Sequence, residues 1–115
     1  MRHRKTRPTL DRKAASRNAL LKGLANSFVL HGQIKSSVAK IRAVKPIIEK
    51  AITTAKTNDL ASRRKLGKYF SETAVNKLLK DLGPKYKDRQ GGYTRKILGG
   101  RNLGDNSQQA YLELV

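Results

Sequence analysis

The chain has 115 residues and carries 26 Lys and Arg against 8 Asp and Glu, a formal net charge of +18. So large an excess repels itself in the compact state and calls for a polyanionic partner, nucleic acid before any other. The absence of cysteine excludes disulfide staples and thiolate metal sites, zinc ribbons among them.

The length suits one small domain with a modest core. Nothing approaches the ~20 apolar residues of a membrane span, and the N-terminus lacks the apolar stretch of a secretory signal, so a soluble, cytosolic protein is expected. Residues 1–17 are Arg-rich and acid-poor like a transit peptide. However, Pro8 and the scarcity of apolar residues before Leu20 oppose the amphipathic helix such peptides form.

Those 17 residues carry seven Lys or Arg against one Asp and almost nothing a core could use. Like charges in a block repel, so this segment reads as an arm that lies along phosphates, with Arg2, His3, Arg4, Lys5, Arg7, Arg12, Lys13 and Arg17 as candidate contacts. Residues 1–10 are assigned to a basic N-terminal extension and 11–115 to a single α+β RNA-binding domain.

From about Asp11 the pattern turns helical, with Leu20, Leu21, Leu24 and Phe28 on one face and Gly32 as the C-terminal cap. Arg12, Lys13 and Arg17 sit at the positive end of the helix dipole, each mildly unfavourable by about 0.3–1 kcal/mol, a penalty that a bound phosphate reverses. After an extended link at Gln33-Ile34-Lys35, Ser37 is the N-cap of a second helix with the stripe Ile41, Val44, Ile48, Ile52 and Ala55. Pro46 interrupts that stripe and predicts a kink, with two abutting helices as the alternative.

A third helix starts at Asn58 or Asp59, with Leu60, Leu66, Tyr69 and Phe70 packing and Arg63-Arg64-Lys65 pointing largely elsewhere. Ser71 caps a fourth, which buries Val75, Leu78, Leu79 and Leu82 and stops at Gly83-Pro84. The period then changes. Tyr93 to Leu98 and Gln108 to Val115 read as a hairpin of strands, joined by a long Gly-rich loop over residues 99–107 that suits contact with a partner and includes Arg101. With Ile34 in a possible third strand, the expected fold is α+β, about four helices on one face of a small mixed sheet.

No constellation for catalysis stands out. The carboxylates are scattered without metal-ligand spacing, and His3 and His31 have no nucleophile linked to them. Gly91-Gly92 and Gly99-Gly100 lack the spacing of a phosphate-binding fingerprint, so no cofactor is expected. The run from Asp88 to Arg95 instead reads as a tight turn, flanked by Arg89, Tyr93 and Arg95, that could approach a sugar-phosphate chain. An ordinary turn with a half-buried Tyr93 fits its composition equally well.

Arg63 and Arg64 would be a solvated helix face in a protein of average charge; the overall excess makes them RNA candidates here. Lys40, Arg42, Lys45, Lys50 and Lys56 receive no individual role, since Glu49 can pair with neighbours and lysines on an amphipathic helix commonly serve solubility. With no recognition-helix motif, zinc-finger spacing or dimerising heptad, folded RNA is favoured over DNA. A sequence-tolerant nucleoid-type binder is the competing reading.

Three stretches carry a resemblance. Met1-Arg2-His3 with Leu10 and Arg12, Gly32-Gln33-Ile34-Lys35-Ser36-Ser37 ahead of Lys40, and Pro84-Lys85-Tyr86 running into Asp88-Arg89-Gln90-Gly91-Gly92-Tyr93-Thr94-Arg95 follow the pattern of the bacterial ribosomal large-subunit protein seventeen family. Ala110-Tyr111-Leu112-Glu113-Leu114 fits as well, so the resemblance spans the chain. It implies an α+β structural protein of the ribosome, not an enzyme. Such a protein binds large-subunit (23S) rRNA near the peptide exit region and touches neighbouring large-subunit ribosomal proteins, with its N-terminal segment among RNA helices.

Residue by residue, the resemblance carries over Arg2, His3, Arg4, Lys5, Arg12 and Arg17, the turn residues Arg89, Tyr93 and Arg95, and the arginine pair Arg63 and Arg64. Membrane, small-molecule substrate and self-association are not expected. The implied location is the cytoplasmic ribosome, and an organellar copy would fit the same pattern. Ala15, Ser16, Gln33 and Ser36-Ser37 depart from the family's usual residues; Ser37 keeps the capping oxygen.

Overall fold

The computed structural model describes residues 14–101, 103–104 and 107–115. Helix α1, Ala14–His31, ends where Gly32 takes φ +78°, a conformation nearly closed to residues with a Cβ, and donates its N–H to the Phe28 carbonyl at 2.7 Å. Its buried residues are Leu21, Ala25, Phe28 and Val29. The stripe is thus rotated from the expected one, leaving Leu20 and Leu24 half-buried.

Strand β1, Gln33–Ser37, hands over to helix α2, Val38–Ala55, where the Ser37 hydroxyl accepts from the Lys40 N–H at 3.5 Å. All five residues of the expected α2 stripe are buried. The helix is continuous through Pro46, which settles the choice against two abutting helices. Pro46 lies on the exposed side, where the Arg42 carbonyl that loses its helical donor can reach water.

Helix α3, Leu60–Gly67, is capped by Asp59, whose carboxylate accepts from the Ser62 N–H at 2.7 Å. That hydrogen bond holds the Asp59 carboxyl below its ordinary pKa. Leu60 is a correction: it is 63% exposed, because the first residue of α3 projects outward while Leu66 and Phe70 do the packing.

Ser71 caps the fourth helix as expected, but Gly83-Pro84 does not stop it. Helix α4, Glu72–Lys77, runs on through a π-helical stretch, Leu78–Leu82, into a last turn, α5, Gly83–Lys85. Gly83 is helical at φ −56° and ψ −55°, and its N–H bonds back to the Leu78 carbonyl. A Cβ on Gly83 would lie 2.8 Å from the Ala55 carbonyl oxygen, so glycine here permits helix-on-helix approach instead of a left-handed cap. The wider π turn makes room for the Pro84 ring, which would otherwise strike the preceding helical turn.

Strands β2, Thr94–Arg101, and β3, Gln108–Leu114, form the hairpin, and the sheet order is β1-β3-β2. Both pairings are antiparallel, where a mixed sheet was expected; Ile34 lies opposite Leu112 and Arg95 opposite Glu113. Because side chains alternate, Ile34, Ala110 and Leu112 are buried toward the helices. The register puts Lys35, Tyr111 and Ile97 side by side on the opposite face. The loop expected to meet a partner is shorter than residues 99–107: β2 reaches Arg101, with a bulge between Leu98 and Gly100. A Cβ on Gly99 would meet the Tyr111 ring at 2.8 Å, so glycine lets that ring cross the strand.

Candidate nucleic-acid interface

The turn before β2 is held by α2. Glu49 extends one carboxylate oxygen to the Tyr93 N–H at 3.1 Å and the other to the Thr94 N–H at 3.1 Å and the Thr94 hydroxyl at 2.7 Å. Lys45 approaches that second oxygen at 3.4 Å. Burial alone would raise the Glu49 pKa, but the Thr94 hydroxyl, the two backbone donors and the Lys45 charge outweigh it and hold the carboxyl below its ordinary value.

Lys56 fastens the other side, donating to the Arg89 carbonyl at 2.6 Å and to the Tyr93 hydroxyl at 3.0 Å. Arg89 in turn donates from Nε to the Gly92 carbonyl at 3.1 Å. Gly91 and Gly92, at φ +78° and +61°, sit exposed at the crest of this braced loop. The space over Gly91 is open, with no heavy atom within 4 Å of where a Cβ would stand, so a sugar-phosphate backbone can come close.

Tyr93 takes a different place from the one expected of a stacking residue. It is 1% exposed, its ring lies 5.2 Å from that of Tyr86, and its hydroxyl accepts from Thr53 at 3.2 Å. The Thr53 hydroxyl, against the opposing effect of burial and with help from Lys56, holds the phenol below its ordinary pKa. With both faces packed, the ring shapes the turn from beneath and is closed to a base. Tyr93 is thus buried more deeply than the half-buried tyrosine expected of an ordinary turn.

The remaining candidates are spread over the surface. Arg95 pairs with Glu113 across the strands at 2.7 Å while staying 63% exposed. Arg63 donates to Asn76 at 3.1 Å, and Arg64 is exposed on the same helix. Arg101 is exposed at the end of β2. Arg2, His3, Arg4, Lys5, Arg7, Arg12 and Lys13 lie outside the described residues.

Arg17 borders a groove of about 820 Å³ between α1, α2 and the end of α3. Arg42, Lys50 and Lys65 border the same groove, and no Asp or Glu is among the described residues lining it. Arg42 and Lys50 were not singled out from sequence. Their spacing looked like that of any solvated helix face, and only the packing of α1 and α3 beside α2 sets them around one cavity.

A profile of the family described as Ribosomal protein L17 matches residues 20–115. The chain belongs to the ribosomal protein L17 family. Among curated relatives, the large ribosomal subunit protein bL17 of Bdellovibrio bacteriovorus is 43% identical over 114 residues, covering 98% of this chain and 63% of the relative. The chain therefore spans somewhat under two thirds of that relative's length. The L17 match includes the Glu49 clamp, the Gly-Gly turn, α3 and the whole sheet, and begins within α1 beyond Arg17.

Proposed function

We propose that this chain is a structural constituent of the large ribosomal subunit, binding and stabilising folded 23S rRNA and performing no catalysis. The observation that carries the proposal, beside L17-family membership, is a charge excess that the fold cannot neutralise. With 26 cations and 8 carboxylates, most of the Lys and Arg charge has no carboxylate in the chain to neutralise it. Such a surface gains affinity by displacing counterions from phosphates.

The basic N-terminal segment, Arg17, the exposed Arg63 and Arg64, and the Arg89–Arg95 turn with Arg101 supply the phosphate contacts, and neighbouring large-subunit proteins complete the surroundings. No helix among the described residues is long and apolar enough to cross a membrane. The place proposed for the chain, on the strength of its L17-family membership, is the cytoplasmic ribosome. A binder of free nucleic acid would use the same charges without a fixed address.

Fractionation separates the two readings. Large subunits from the source organism, washed at moderate salt and analysed by mass spectrometry, are expected to retain about one copy of the chain. Recovery chiefly in ribosome-free nucleic acid would replace the ribosomal reading with the general-binder one.

A further inference from the structure

We infer that the groove between α1, α2 and α3 is a pocket for an unstacked nucleotide, with phosphates on its cationic rim and the base on its apolar floor. The inference rests on the RNA-binding reading above and assigns a place and a chemistry within it. The rim is formed by Arg17, Arg42, Lys50 and Lys65. The floor is a different surface: Ile47 and Ala51 of α2 line it together with Phe70 and the half-buried Tyr69, whose rings stand edge-on with centroids 5.2 Å apart and planes at 61°.

The small side chains Ala43 and Ala51 give the groove its depth, and its 820 Å³ falls within the roughly 300–1,000 Å³ of sites that enclose small organic ligands. Duplex RNA would engage the rim alone, because it presents phosphates and ribose hydroxyls and keeps its bases stacked. An apolar, aromatic floor gains from contact only when a base is splayed out to cover it. Lys22, with its ammonium 5.6 Å from the Tyr69 ring centroid, adds a further cation beside that ring.

Charge also argues against other occupants. The chain's own N-terminal segment carries Arg2, Arg4, Lys5, Arg7, Arg12 and Lys13 and would be repelled by the four rim cations. A protein partner would have to bring an acidic segment with an apolar tip, whereas RNA brings both properties in every nucleotide.

The test is ultraviolet crosslinking of intact large subunits followed by peptide mapping, joined to binding of the full chain to large-subunit rRNA. Nucleotide adducts are expected on Tyr69, the half-buried aromatic of the floor. Arg42→Ala with Lys50→Ala, both exposed in the free protein, should lower the salt slope by roughly 0.7–0.9 for each phosphate no longer engaged. Ala51→Leu, which fills the floor, should weaken binding roughly tenfold, and the surface pair covers the case in which that variant misfolds. Lys80→Ala with Lys87→Ala, away from the groove, is the control and should have the smaller effect. Adducts confined to other residues, with groove and control variants alike in rRNA binding, would overturn the pocket while leaving the ribosomal reading intact. If the wild-type chain neither binds rRNA nor stays with large subunits, the functional reading itself falls.

Discussion

A single carboxylate, Glu49, fixes how the strand hairpin joins the helices, since it accepts from two backbone N–H groups and one hydroxyl that have little access to water. Glu49→Gln replaces one acceptor oxygen with an amide donor and should cost about 1–3 kcal/mol near neutral pH, read as a lower melting temperature. Because folding depresses the Glu49 pKa below its ordinary 4.5, its contribution is fully present above that value and is lost as pH falls through the folded value. The gap between wild type and variant should therefore narrow below about pH 4.5; a constant gap would show that the carboxylate's charge is not what matters. Glycines separate just as cleanly. Gly83→Ala drives a methyl against the Ala55 carbonyl and should destabilise by about 1–3 kcal/mol. Gly23→Ala, in mid-helix with nothing within 4 Å, should stabilise by roughly 0.5–1 kcal/mol.

At the scale of elements, α2 is the organiser because it has two working faces. One buries Ile41, Val44, Ile48 and Ile52 and the other borders the cationic groove, while Glu49, outside that groove, reaches the turn. The turn itself depends on two left-handed residues in succession. Gly92→Val places a β-branched side chain at φ +61°, which should cost on the order of 1–3 kcal/mol and loosen the start of β2. Hydrogen exchange at the Tyr93 and Thr94 amides would register that loosening, and unchanged protection would mean that the turn tolerates a Cβ. The fourth helix shows a local rule yielding to packing. Gly followed by Pro reads as a stop, yet the close approach to Ala55 and the π turn carry the helix on to Lys85.

For the whole molecule, charge bears on stability and on the proposed partner. A net +18 that repels itself is screened by salt, so the melting temperature of the free chain should rise between low and physiological ionic strength. A flat response would mean that the cations are already locally compensated. Affinity for rRNA should fall over the same range. Removing residues 1–9 takes away Arg2, Arg4, Lys5 and Arg7, and if each meets a phosphate the salt slope of binding should shrink by about 3. An unchanged slope would place the decisive phosphate contacts on the folded part.

The sequence by itself determined the α+β class, the caps at Ser37 and Ser71, Asp59 as one of two candidate caps, the α2 stripe and the hairpin. These follow from periodicities of 3.6 and 2 and from hydroxyl or carboxylate oxygens placed to accept a helix's first free N–H groups, all local properties. The net charge, from which the kind of partner is proposed, was equally legible, because composition survives any folding. Tertiary structure alone decided that Tyr93 is sealed beneath its turn, that Gly83 continues a helix, and that Arg42 and Lys50 share one groove with Arg17 and Lys65. Each depends on which surface another element covers, and residues far apart in the chain reveal that only once they are packed together.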